Sequence, residues 1–151
     1  MSSTNQLYTS RRFAITTALA DKIKEINGRG VYYNSIAEVS PYLKFMDEIV
    51  QHPAVHLNAG SESREYLAGG VKNRFLNVTL RLYVNQENSV EALDELIQDV
   101  ELVLEDNSQL AYLDRDGNTQ CTQQTTIISI DTDEGVLDPL GVAEILIEVR
   151  Y

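Results

Sequence analysis

The chain has 151 residues, 43% of them hydrophobic and 23% charged, with one cysteine and a formal net charge of −11. That length suits a single domain that buries its own core, so residues 1–151 are expected to fold as one unit without disulfide staples. The negative charge argues against gripping a phosphate backbone, because nucleic-acid affinity comes mainly from lysines and arginines displacing counterions.

The N-terminal stretch MSSTNQLYTSRRFAITTALA carries a short, Thr-interrupted apolar run behind two arginines, not the continuous apolar core of a signal peptide. No later run approaches the ~20 apolar residues that cross a bilayer, so no membrane association is expected. A first helix is predicted from Thr9 or Ser10 as N-cap. Phe13, Leu19, Ala20, Ile23 and Ile26 form its apolar stripe, Lys22, Lys24 and Arg29 lie outside, and Asn27-Gly28 ends it. Residues 31–51 are a candidate insertion: VYYNSIAEV reads as a strand or an irregular run, and PYLKFMDEIV as a short helix with Ser40 as N-cap and Pro41 at its first position. HPAVHLNAG then reads as a strand entered through a proline. The polar, glycine-containing SESREYLAGGVKNR is expected to be a long connecting loop, and loops of that length are more often functional than plain turns.

In RFLNVTLRLYV, Leu76, Val78, Leu80, Leu82 and Val84 face one way, and Phe75, Asn77, Thr79, Arg81 and Tyr83 the other. The period then changes. With Ser89 as N-cap, Leu93, Leu96, Ile97, Val100 and Leu104 form the buried stripe of a second helix about 25 Å long. Glu91, Asp94, Glu95, Asp99, Glu101 and Glu105 are placed on its solvent face. After the turn-rich LDRDGNTQ, the β-branched runs QQTTIISIDT and VAEILIEVRY form a hairpin across the acidic loop DTDEGVLDPLG. Strands in adjacent pairs with intervening helices predict an α+β fold: a mainly antiparallel sheet of about four strands, or slightly more, with two main helices packed on one face. Phe75, Tyr83 and Tyr151 on the outer sheet face would then mark an oligomer surface.

The sequence offers few chemical motifs. His52 and His56 have the spacing of helical metal ligands, but Pro53 favours extended chain, which holds them roughly 13 Å apart. DTDEG and DRDGN begin like calcium loops, yet glycine and the twelfth-position carboxylate fall at the wrong places, and turn chemistry accounts for both. GxSxG, P-loop and GxGxxG patterns are absent, and Cys121 sits in a polar turn with no histidine near it in sequence. No catalytic residue, cofactor or metal is therefore expected. Up to Arg29 basic residues outweigh Asp21 and Glu25, whereas from Glu87 onward only Arg115 and Arg150 oppose a long series of acids.

The order RRFAITTALADKIKEI, HPAVHLNAGSESRE, RFLNVTLRLYVNQ, ENSVEALDELIQDVELVLEDN, IISIDTDEG and VAEILIEVRY resembles that of the lambda U-like tail terminator proteins of long-tailed bacteriophages over nearly the whole chain. The resemblance implies a structural virion protein, assembled in the host cytoplasm, that sits as a ring, a homohexamer in such proteins, at the head-proximal end of the tail. Its implied partners are copies of itself, the tail tube protein whose polymerisation it stops, and a head-completion or neck protein. DNA would pass through the lumen without specific binding, which an acidic wall favours by repelling phosphates. Within that expectation, Arg64, Glu65, Tyr66 and Lys72 are the candidate interface residues. Asp131, Asp133, Glu134 and Asp138 are candidates for a loop facing the lumen or a neighbouring subunit. A sibling tail-completion or neck connector protein, and an acidic DNA-mimicking inhibitor, are the rival readings.

Overall fold

In the computed structural model, which describes residues 10–151, two helices cover one face of a five-stranded sheet. The elements are α1 (Arg11–Ile23), β1 (Glu38–Ser40), β2 (Ala54–Tyr66), β3 (Lys72–Asn85), α2 (Ser89–Asp106), β4 (Ala111–Leu113), β5 (Thr119–Cys121), β6 (Gln124–Thr132) and β7 (Leu140–Arg150). The sheet order is β1-β2-β3-β7-β6, antiparallel except for the short parallel pair β1–β2, and β4 and β5 form a separate small hairpin. The expected α+β class holds, with one more strand and one parallel pair.

The alternation along β3 decides this arrangement. Leu76, Val78, Leu80 and Leu82 are fully buried, and their register against β7 places them level with Val149, Ile147, Ile145 and Ala143, which are buried too. Above them lie Ile15, Leu19, Ala20 and Ile23 of α1 and Leu93, Leu96, Val100, Val103 and Leu104 of α2. Ser10 caps α1, its Oγ accepting from the Phe13 N–H at 3.2 Å; the alternative cap, Thr9, lies outside the described residues. The helix stops at Ile23, four residues before Asn27, and Ile26 reaches the core from the following turn.

Five other expectations are corrected. Residues 41–50 contain only a single 3-10 turn at Met46–Glu48. A helix would gather Tyr42, Phe45, Met46 and Ile49 on one stripe, but the sheet offers them only the small apolar spot of Ala54, Tyr83 and Val142. An extended path lets Met46 and Ile49 reach that spot while Tyr42 turns to Phe13, and Ser40 Oγ closes a turn on the Tyr42 N–H instead of capping. This cover buries Tyr83, and Tyr151 continues the inward alternation of β7 into the core, so of the three aromatics only Phe75 stays on the open outer face.

The segment expected to be a loop is instead a hairpin arm. β2 runs on to Tyr66 and β3 begins at Lys72, with Glu65 opposite Asn73 and Tyr66 opposite Lys72. Gly69 and Gly70 both have φ of 79°, a backbone region that side chains disfavour, and they allow the turn at the tip. The N-cap of α2 is Asn88, left-handed and without a side-chain cap bond, and the Ser89 N–H is instead taken by Asp138 Oδ1 at 3.0 Å.

Asp99 is the fifth correction. It is fully buried, because three and four residues separate it from Leu96 and Val103 on the inward stripe. Its carboxylate accepts the Tyr33 and Asn34 backbone N–H groups at 3.0 and 2.9 Å and the Asn34 side-chain amide at 3.0 Å, pinning residues 31–36 to α2. Asp99→Ala leaves those donors unpaired and is expected to cost about 2–3 kcal/mol. Glu105→Ala, on the exposed side, should stay within about 0.5 kcal/mol. Urea titration of the two variants beside the parent checks both.

Candidate functional site

The arm meets the body of the protein at a cluster of cations and aromatic rings. β2 and β3 change register between Ala59 and Glu62, and this turns Glu62 towards the helix side, where its side chain is only 6% exposed. Glu62 Oε1 accepts the Tyr151 hydroxyl at 2.6 Å and lies 3.7 Å from Arg12, while Oε2 takes Arg64 Nε at 2.7 Å. Arg12 also donates to the Gly60 carbonyl. The Tyr151 ring lies 5.2 Å from the Arg11 guanidinium and 5.6 Å from that of Arg74, within cation–π range of both. Arg150 donates to the Asn73 side chain at 2.9 Å and lies 5.9 Å from the Phe75 ring.

Of the candidate interface residues, Arg64, Glu65, Tyr66 and Lys72 all stand on the paired strands of the arm and are exposed. Lys72 Nζ lies 5.7 Å from the Tyr66 ring centroid, and Tyr66, Leu67 and Val71 leave an apolar surface near the tip. Sequence reasoning missed Glu62 and Tyr151. The inward phase of Val149 carried two residues further would have placed Tyr151 in the core, but nothing local marks Glu62, whose direction depends on the shifted register.

The other end of β3 is acidic. A groove of about 640 Å³ is lined by Asn88, Val90, Glu91, Asp94, Glu95, Gln98, Gly135 and Asp138, among others. Asp138 is held below the usual carboxylate range by the Ser89 side chain and N–H, a placement that also suits the positive end of the α2 dipole. Asp133 is committed to its own turn, accepting the Leu137 N–H at 3.1 Å and the Val142 N–H at 3.4 Å. Asp131 and Glu134 are exposed. In DRDGN, Asp114 likewise holds a turn, accepting the N–H groups of Asp116 and Asn118 at 2.9 Å each. In DTDEG the third residue, Asp133, and in DRDGN the leading Asp114 thus serve as turn acceptors, and among the described residues no group of three or more His, Cys, Asp and Glu is arranged to hold a metal ion.

His56 lies on extended strand and is fully buried. Its Nδ1 faces the Tyr42 carbonyl oxygen at 2.9 Å, so Nδ1 is the donor, and Nε2 meets Glu38 at 2.6 Å. The ring thus ties β1 and the 41–50 cover to the sheet.

Residues 9–151 match the family model described as Bacteriophage Tail Tube Terminator Protein. The chain is also 32% identical over 149 residues to tail tube terminator protein p142 of Escherichia phage T5, with 93% of this chain and 92% of that protein covered. The chain belongs to the bacteriophage tail tube terminator family. The match spans every element from α1 to β7, so in this tail tube terminator the arm, the acidic groove and the sheet that separates them all fall within the family's own extent. Among the described residues no helix is long and apolar enough to cross a membrane.

The arm base carries a pH dependence. Burial raises the Tyr151 hydroxyl to about 12, and its hydrogen bond to Glu62 acts in the same direction. A raised value in the folded state means that the stability is complete below the ordinary value of 10.0 and is lost as pH climbs through about 12. For Glu62, burial acts upward, but the hydrogen bonds from Tyr151 and Arg64 and the charges of Arg64 and Arg12 prevail and lower it from 4.5. Its stability is present above that value and is lost as pH falls through the lower folded one. Denaturation at stepped pH is expected to show a smaller alkaline loss in Tyr151→Phe, and a smaller acid loss in Glu62→Gln, each relative to its own stability at pH 7.

Proposed function

We propose that this protein is a structural component of a phage virion that assembles as a ring of six copies on the head-proximal end of the tail tube. There it stops further addition of tube protein and presents its other side to a head-completion or neck protein. The observation that carries this reading is the family match across residues 9–151.

Features of the fold support the self-association. Among the described residues β6 ends the sheet with an unpaired outer edge along Gln124–Thr132, and that strand carries no lysine or proline and leaves Ile128 and Ile130 exposed. Such an edge invites pairing with another chain. At the opposite side β1 pairs only with Ala54–His56, so among the described residues no strand covers the outer edge of the rest of β2. A net charge of −11 suits a passage for DNA, since phosphates are repelled and do not adhere. Asp99 and Asp114 are each engaged by backbone and side-chain amides, which fits a protein that acts through its surfaces and not through chemistry.

Light scattering across concentration, followed by negative-stain imaging with purified tail tubes, tests the reading. The expected result is a six-fold ring bound at one end of each tube, with tube extension from that end halted. A monomer that ignores tubes at every concentration would overturn it.

A further inference from the structure

The two ends of the sheet have opposite character. Arg11, Arg12, Arg64, Lys72, Arg74 and Arg150, half of the chain's 12 lysines and arginines, gather at the arm and its base. The groove beside the α2 N-terminus is lined by Glu91, Asp94, Glu95 and Asp138 and by no lysine or arginine. Between them runs β3, whose 14 residues extend about 46 Å. The two patches therefore lie too far apart to meet within one molecule.

Their apolar surfaces correspond as well as their charges. The arm leaves Tyr66 64%, Leu67 46% and Val71 53% exposed; Val90, 51% exposed, lines the groove, and Val136, 82% exposed, follows the lining Gly135 in the chain. Gly135 lies against Val90, where a Cβ would come within 2.9 Å of its Cγ2, so the groove floor keeps its depth only with glycine there. From Glu62 to Tyr66 the arm reaches about 13 Å beyond the register shift. A projecting hairpin with an apolar tip and basic flanks fits an open groove with an apolar lip and acidic walls.

We infer that the hairpin arm of one copy of this chain seats in the acidic groove beside the α2 N-terminus of a second copy. The contact rests on the ring proposed above and specifies how its subunits are joined. Two different patches at opposite ends of a molecule make a heterologous interface, the kind that closes into a ring when the rotation allows it. Lys72, Arg64 and Tyr66 are the arm's anchors, since arginine and tyrosine dominate such contacts, and Glu91, Asp94 and Glu95 are their acidic counterparts.

Charge reversal tests the contact. Arg64→Glu/Lys72→Glu and, separately, Glu91→Lys/Asp94→Lys are each expected to weaken wild-type assembly by about tenfold or more, because like charges then face one another. Mixing the two variants is expected to restore the assembly, since each reversed arm meets a reversed groove and each native arm a native groove. Circular dichroism establishes that both variants are folded. In a Cys121→Ser background, Lys72→Cys mixed with Asp94→Cys should give a disulfide-linked pair of chains, which does not depend on the charge variants' stability. Wild-type assemblies of unchanged mass in both reversed variants, with no cross-link, would overturn the contact and leave the ring standing. Variants that keep the ring but no longer bind tube ends would move the arm to the tube protein and likewise overturn it. A wild-type chain that stays monomeric alone and on tubes would remove the ring and this contact together.

Discussion

Everything in the molecule is arranged about the central strand β3. It is paired along nearly its whole length on both sides, and its even-numbered aliphatics carry the weight of both helices. Fully burying each such side chain contributes about 1.5–3 kcal/mol, so the inward set from Leu76 to Val84 rivals the net stability of a typical domain, about 5–15 kcal/mol. A one-residue slip would expose all of them. With that register fixed, β7 is fixed through Ile145 and Ile147, and the arm is fixed at one end of the strand and α2 at the other.

The parts of the fold legible in the sequence are those where periodicity is long and unmixed. β3, α2, β6 and β7 all follow from side-chain spacing, as does the class of the fold. The arm was not legible because its strands are polar on both faces; pairing of Glu65 with Asn73 and Tyr66 with Lys72 is held by backbone bonds and the glycine turn, which leave no hydrophobic period. The 41–50 segment has helical spacing in Tyr42, Met46 and Ile49, but spacing is only an offer of a face, and the sheet has little apolar surface there to accept it. Asp99 could have been found. It occupies the inward phase of α2, and an acid in that phase implies buried donors from elsewhere in the chain, here from Tyr33 and Asn34, whose identity only the tertiary structure supplies.

The charged residues divide into two populations. Asp99, Asp133 and Asp138 hold backbone N–H groups, Glu38 holds a buried imidazole, and Glu62 holds the Tyr151 hydroxyl and lies beside two arginines, Arg12 and Arg64. These acids fix segments that the hydrophobic core alone would not. The second population, on the outer side of α2 and at Asp131 and Glu134 of the acidic loop, is exposed to solvent and acts as a field.

The separation of that field into ends follows from the topology. β3 leads directly from the basic arm to the turn before α2, so a charge difference that is spread along the sequence becomes a charge difference along an axis in space. Arg11, Arg74 and Arg12 can crowd together only because Tyr151 and Glu62 lie among them, a ring face and a carboxylate that lower the repulsion between like charges. The C-terminal tyrosine thereby ties α1, β2 and β3 to the end of β7, and it does so at the root of the arm. A projection intended to meet another molecule needs a stiff base, since a contact that must first be ordered loses affinity to that ordering. The arm's base is the most densely hydrogen-bonded and ion-paired part of its length, whereas its tip is exposed and glycine-turned. That gradient, rigid where it joins the sheet and open where it ends, is what a docking element requires.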